Sequence, residues 1–183
     1  MLDAMADQSP EGLYDNFFEN FTHSVAATRL LLGEAQRSGG FIEGLILYAA
    51  IVDALLRNLV ALETAPRDGY KRTLDGHYFV HDKSKWLTER RIYAEARDCM
   101  VIDDALFLEL EDLYRFRNTV VHRFIISQVA YSDIAPKLDQ YNAIMERLLA
   151  QLAAVEQPDG EDKSPERTEA MRRRVARKLR RPN

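Results

Sequence analysis

The chain is almost without cysteine, because Cys99 is the single example among 183 residues. A disulfide scaffold is therefore excluded, and a reducing compartment is the expected environment. The first twelve residues, MLDAMADQSPEG, contain no apolar segment of the kind that a secretory signal needs. Together these absences predict a cytoplasmic protein.

Long uninterrupted hydrophobic runs are also missing. The longest apolar stretch, residues 41–60, is broken by Glu43, Asp53, Arg57 and Asn58. Such side chains are costly inside a bilayer and are tolerated in the core of a soluble protein. We therefore predict a soluble protein without a membrane-spanning segment.

The motifs of several enzyme classes are absent as well. No glycine-rich phosphate loop is present, and the chain shows no local Ser/His/Asp or Cys/His arrangement. His77 and His81 lie four residues apart beside Asp82, but the segment has no helical pattern and lacks the glutamate of HExxH. The sequence thus predicts neither a metal nor a cofactor. Residues 70–85 either pack on the domain or supply aromatic and basic surface that could stack an RNA base.

What the chain does contain is enough apolar sequence for a real core. With 46% apolar and 30% charged residues, it fits one compact domain of roughly 150 residues plus an appendage. The net charge of −4 is unevenly distributed, because residues 163–183 hold nine Lys or Arg against two Glu. That tail carries +7 and the rest of the chain −11, so the main body does not by itself resemble a nucleic-acid-binding surface.

Apolar residues recur at helical spacing through most of the body, and no strand alternation persists. We predict an all-α, up-and-down bundle of about five helices in residues 1–156. The second helix is apolar nearly all round, so it is either the centre of the bundle or partly covered by a second copy. The connection from Thr64 to Lys83 is either a functional loop or contains short strands. The predicted helices are residues 10–36, 41–63, 84–99, 103–127 and 132–155, the last with Pro136 in its first turn.

Residues 157–183 read as a linker and a basic tail. Gln157-Pro158-Asp159-Gly160 breaks the helical pattern, and Ser164-Pro165-Glu166 could cap one short amphipathic helix. Three interpretations stay open: a frayed solvated tail, an arm that docks on the acidic body, and an arm that binds RNA. In the last case the chain would be a nucleic-acid-binding adaptor, with Arg172, Arg173 and Arg174 as contacts.

The fourth predicted helix contains the clearest departure from the hydrophobic pattern. Arg117 falls in the middle of its apolar stripe, where a leucine is expected. Burying an unpaired guanidinium would cost several kcal/mol, so Arg117 needs a partner, a cavity or an interface. The stripe consists of Leu106, Leu110, Leu113, Val120, Val121 and Phe124.

A polar stripe runs along another side of the same helix. Asn118 and His122 are i, i+4 neighbours, Arg115 lies nearly two turns before His122, and Glu111 is on the same side. Arg117 lies about 140° around the helix from His122, so one helix does not easily direct both groups to one atom. Pairing with a second copy across a two-fold axis would relax this limit.

The string Arg117-Asn118-Thr119-Val120-Val121-His122 resembles the Arg-x4-6-His motif of the HEPN superfamily (higher eukaryotes and prokaryotes nucleotide-binding). It comes late in a long helix, after Leu-Glu-Asp-Leu-Tyr, in an otherwise helical chain. The resemblance covers roughly residues 17–155, and the motif is its only sharp part.

The resemblance implies a metal-independent endoribonuclease, of the kind found as toxins or antiviral effectors, that dimerises with its two motifs facing one another. Arg117 would then hold the scissile phosphate, His122 would move protons, and Asn118 would orient the histidine or the phosphate. Arg115 and Arg123 would contact the RNA backbone. The implied partners are RNA, a second copy of the chain and an antitoxin or regulatory protein. Members silenced by adenylylation have a tyrosine two residues after the histidine, and Phe124 stands there.

Each assignment has a structural alternative. Arg117 could form an internal ion pair, for example with Asp53, and His122 could be a polar-face histidine stabilised by the helix C-terminus. Arg115 and Glu111 could be ordinary surface charges. The chain as a whole could then be a catalytically inactive dimerisation or partner-binding module.

Overall fold

The computed structural model describes residues 10–65, 67–68, 71–72, 78 and 87–156. Within them five α-helices dominate, which confirms the predicted all-α bundle. Two-residue strands β1 (Arg67–Asp68) and β2 (Lys71–Arg72) form one antiparallel pair in the connection after the second helix. The pair His77 and His81, for which no metal site was predicted, and the predicted RNA contacts Arg172 to Arg174 lie outside the described residues. The helices are α1 (Pro10–Ser38), α2 (Phe41–Thr64), α3 (Glu89–Asp98), α4 (Asp104–Arg123) and α5 (Tyr131–Glu156), with a 3₁₀ turn at Phe124–Ile126.

The four long helices alternate in direction along the chain. Helices α2 and α5 run in the same direction. The rings of Phe41 and Tyr131, at the starts of these helices, lie 5.3 Å apart. Further along both helices, the Tyr48 hydroxyl donates to Asn142 Oδ1 (3.1 Å). Ion pairs from α4 to α5 connect Asp112 with Lys137 and Asp103 with Arg147, so these helices are antiparallel. Helices α1 and α5 are also antiparallel. Arg29 of α1 pairs with Glu146 of α5. Gly39, just after α1, accepts a hydrogen bond from Tyr131 at the start of α5. The short α3 lies antiparallel to α4.

The turn between α1 and α2 is set by two glycines. Gly39 adopts φ +73°, a conformation that costs a residue with a Cβ more than it costs glycine. The Gly40 N–H then donates to the Ala35 carbonyl (2.7 Å), which satisfies a carbonyl at the end of α1. Helix α1 therefore stops sharply and α2 begins two residues later.

Helix α2 lies at the centre of the bundle, as one of the two interpretations of its apolar surface predicted. It packs against α1, α3, α4 and α5 and contributes thirteen buried residues. By length and composition alone it would also be long enough to cross a membrane, but 67% of its most apolar stretch is buried within this bundle. The packing therefore accounts for its hydrophobicity.

Several predicted boundaries move. Leu87 and Thr88 are not helical, so α3 begins at Glu89 rather than at residue 84. Helix α4 ends at Arg123 and tightens into the 3₁₀ turn instead of continuing to Ser127. Helix α5 begins at Tyr131, which places Pro136 just beyond the first turn, where its missing N–H leaves one carbonyl without a helical partner.

The long connection between α2 and α3 is anchored to α2 by Arg57. Its guanidinium donates to the carbonyl oxygens of Tyr78 (3.2 Å) and Leu87 (2.8 Å) and to Asp53 Oδ2 (2.7 Å). Both side chains of the ion pair are mostly buried, so the carboxylate compensates the buried charge. This anchor fixes the start of α3 beside the middle of α2.

Candidate functional site

The structure brings the predicted motif to an open cleft between α2, α3 and α4. The cleft has a volume of about 330 Å³. Helix α4 supplies the motif side chains, and α2 supplies small residues, Ala49 and Ala50, which leave the space open. It is lined by Ile46, Ala49, Ala50, Asp53, Glu89, Arg117, Asn118, Val121 and His122.

Arg117 has the partner that its position in the apolar stripe requires. Its Nη1 donates to Glu89 Oε2 (2.6 Å) and Oε1 (2.9 Å), and its Nη2 donates to Asn118 Oδ1 (2.9 Å). The side chains of Arg117 and Glu89 are only 17% and 16% exposed. Burial disfavours the charged guanidinium, but the hydrogen bonds and the charge of Glu89 outweigh it, so the pKa of Arg117 is raised. It remains a cation at all ordinary pH values.

Tyrosine side chains surround this ion pair. The Cζ of Arg117 lies 4.9 Å from the centre of the Tyr114 ring, a cation–π contact. The Tyr93 hydroxyl donates to Glu89 Oε1. Burial and the adjacent Glu89 raise the pKa of Tyr93, and burial also raises the pKa of Tyr141, whose hydroxyl has no hydrogen-bond partner among the described residues. Both phenols therefore stay neutral, and that of Tyr93 helps to fix the geometry of the Glu89 carboxylate.

Asp53 was the suggested partner of Arg117, and this suggestion is wrong. Asp53 Oδ2 instead accepts from Arg57, one turn along the same helix. Its other oxygen, Oδ1, is buried without a hydrogen-bond partner among the described residues. Asp53 therefore lines the cleft as a second carboxylate beside Glu89. No group of three His, Cys, Asp or Glu side chains suited to a metal occurs in the described ranges.

His122 and Asn118 lie on the open side of the cleft. His122 is exposed, and no hydrogen bond joins its imidazole to another described residue. Asn118 directs its carbonyl oxygen to Arg117 rather than to the histidine, a role that the sequence did not predict for it. The cleft is thus lined both by a cation that is held in place and by the His122 imidazole.

The flanking residues are divided between the cleft and the surface around it. Val121, predicted to lie in the buried stripe, is 41% exposed because it faces the cleft. Arg123 is exposed at the end of α4, outside the cleft. Arg115 is also exposed and lies 3.7 Å from Glu111, which is buried and accepts hydrogen bonds from Arg90 on α3.

Sequence reasoning missed Glu89 as the partner of the motif arginine. The only local signal was Thr88-Glu89, a residue type typical of helix N-caps followed by an acid suited to a first helical turn. Chemically, the cleft offers a guanidinium that a phosphate oxygen could reach, an imidazole and an apolar rim.

Comparison of the chain with family models, curated proteins and solved structures found no match.

Proposed function

We propose that this protein is a metal-independent endoribonuclease of the HEPN type, acting as a toxin or antiviral effector. The observation that carries the proposal is that Arg117, Asn118 and His122 line one cleft although Arg117 and His122 lie on different sides of α4. The reaction is inferred from the likeness of residues 117–122 to the Arg-x4-6-His motif.

In the proposed reaction His122 takes the proton of an RNA 2′-hydroxyl, and the 2′-oxygen attacks the adjacent phosphorus. The bond from phosphorus to the 5′-oxygen breaks, and that oxygen receives a proton. Products are a 2′,3′-cyclic phosphate and a 5′-hydroxyl. Arg117 stabilises the charge that develops on the phosphate, a contribution available to a guanidinium held in place by Glu89 and Asn118.

A second copy of the chain completes the proposed site. A facing copy would place a second His122 at the same cleft, which supplies the second proton-transfer group that the reaction needs. The rim suits such pairing, because Ile46 and Val121 are 45% and 41% exposed there, and Ile125 and Ile126 are 96% and 82% exposed in the next turn.

We propose that the binding of an antitoxin-like partner, rather than adenylylation, regulates this activity. Phe124 replaces the modifiable tyrosine, and its ring is partly buried against Tyr131, with the ring centres 5.8 Å apart.

The test is cleavage of total RNA or tRNA by the purified full chain in EDTA. We expect cleavage by the wild type and a loss of about 10²–10⁴-fold in His122→Ala, the usual size of a general acid–base contribution. His23→Ala is the matched control, because His23 is exposed on α1 outside the cleft and its loss should not change cleavage. Equal cleavage by wild type and His122→Ala would exclude this mechanism.

A catalytically inactive dimerisation or partner-binding module is the alternative, and the Arg117–Glu89 ion pair favours it. In that case the arginine is structural, as its low exposure allows. Arg117→Ala would then destabilise or dissociate the protein, at a cost of about 1–3 kcal/mol, less than for a fully buried pair because both side chains are partly exposed. Wild-type protein would show no cleavage that depends on His122.

A further inference from the structure

A polar stripe of α4 extends away from the cleft. Glu111, Arg115, Asn118 and His122 succeed one another on one side of the helix. Seven residues separate Arg115 from His122, which is about 10 Å along the helix axis. A ligand bound in the cleft therefore meets Arg115 if it continues along α4 towards the N-terminus of that helix.

Arg90 of α3 meets this stripe from the side. Its Nη2 donates to Glu111 Oε2 (2.7 Å) and its Nε to Oε1 (2.8 Å). Arg90 and Arg115 have side chains 55% and 73% exposed, whereas the Glu111 side chain is 10% exposed. Two exposed guanidiniums thus share one mostly buried carboxylate, and one positive charge is in excess at the surface.

This excess contrasts with the rest of the body. Residues 1–162 carry a net −11, and Arg117 in the cleft is matched by Glu89. The pair Arg90 and Arg115 is therefore a local cationic surface that is continuous with the cleft along the same helix. Guanidiniums with free N–H groups at such a surface suit phosphate oxygens.

We propose that Arg90 and Arg115 bind the phosphates of a single RNA strand next to the scissile one, so that the substrate extends along α4 beyond the cleft. The proposal deepens the proposed function and depends on it for the identity of the ligand. Tyr114 contacts both guanidiniums, because the Cζ atoms of Arg90 and Arg117 lie 5.9 and 4.9 Å from its ring centre. Phosphate contacts alone carry no sequence information, and these nucleotides are read without base preference.

The test measures binding of a fluorescent 12-nucleotide 2′-O-methyl strand, which lacks the attacking hydroxyl, by anisotropy at several salt concentrations. Arg115→Ala should raise Kd about three- to tenfold and reduce the slope of log K against log salt by about 0.7. Glu111→Gln leaves both arginines in place and removes the opposing charge, so Kd should fall. The two variants act in opposite directions, which separates charge effects from loss of folding.

Matched controls are Arg29→Ala and Arg147→Ala, which remove the same charge from exposed ion pairs on α1 and α5. Neither should change Kd beyond about twofold. Binding by Arg115→Ala equal to wild type, in a protein whose RNA cleavage depends on His122, would overturn this proposal and leave the nuclease intact. Weaker binding by Arg115→Ala, in a protein that does not cleave RNA, would support the strand-binding surface and refute the proposed nuclease activity. Absence of RNA binding by the wild type would overturn both proposals.

Discussion

At the scale of the residue, Arg117 shows how much of the candidate site could be predicted from the sequence. Its place in an apolar stripe required a partner, a cavity or an interface, and the structure supplies the first two. The identity of the partner was not predictable, because Glu89 lies 28 residues earlier and beyond a segment without periodicity. Tertiary pairing of two charges leaves no trace in local spacing.

The stability of the bundle should depend on Glu89. Glu89→Ala removes the carboxylate that binds Arg117 and accepts a hydrogen bond from Tyr93. It should therefore lower the free energy of unfolding by about 1–3 kcal/mol. This cost is smaller than for a fully buried ion pair because both side chains are partly exposed. Urea denaturation followed by circular dichroism measures the change.

Glu146→Ala is the control for this measurement. Its ion pair with Arg29 is about half exposed on both sides, so its loss should cost at most about 1 kcal/mol. Equal effects of the two substitutions would mean that the Arg117–Glu89 pair contributes no more than a surface ion pair.

At the scale of the element, helices with regular patterns were predicted well. Helix α2 was expected over residues 41–63 and spans Phe41–Thr64, and α4 begins just after Asp103, whose side chain accepts from the Leu106 N–H (2.8 Å). Helix α3 was placed too early because no hydrophobic period marks its start. Val121 was assigned to the core since periodicity does not reveal that α2 presents small alanines opposite it.

The packing of α3 on α4 should weaken in acid. The hydrogen bonds of Arg90 hold the pKa of Glu111 below its ordinary value, so the carboxylate stabilises the fold fully at pH values above the unfolded pKa, near 4.3. That stabilisation is lost as the pH falls through the lower, folded pKa. The urea concentration at the midpoint of unfolding, measured from pH 7 to pH 3, should decline less in Glu111→Gln than in the wild type.

Glu34→Gln is the matched control for the acid measurement, because Glu34 is exposed on α1 and makes no ion pair with a described residue. Its decline with pH should equal that of the wild type. A decline in Glu111→Gln as steep as in the wild type would contradict the assignment of acid sensitivity to this pair.

At the scale of the whole molecule, several large apolar side chains of the described residues remain exposed. Two adjacent pairs stand out: Ile125 and Ile126, which follow α4, and Leu30 and Leu31, 74% and 51% exposed on α1. The proposed dimer uses the first pair together with the rim of the cleft. Large exposed apolar patches are typical of surfaces that bind another protein.

Substituting Ile125→Asp together with Ile126→Asp should therefore convert a dimer into a monomer at micromolar concentration, since two carboxylates would have to lose water at the interface. Light scattering coupled to size-exclusion chromatography measures the mass. Leu30→Asp with Leu31→Asp is the control and should leave the dimer intact. Dissociation by the α1 pair alone would move the interface away from the cleft.

One arginine outside the cleft also bears on the position of its cation. Arg57 binds the carbonyl oxygens of Tyr78 and Leu87 through a single guanidinium, so these two points lie less than about 8 Å apart. Leu87 stands two residues before Glu89, whose carboxylate binds Arg117. Removing Arg57 would therefore disturb the motif arginine indirectly, through the backbone that carries Glu89.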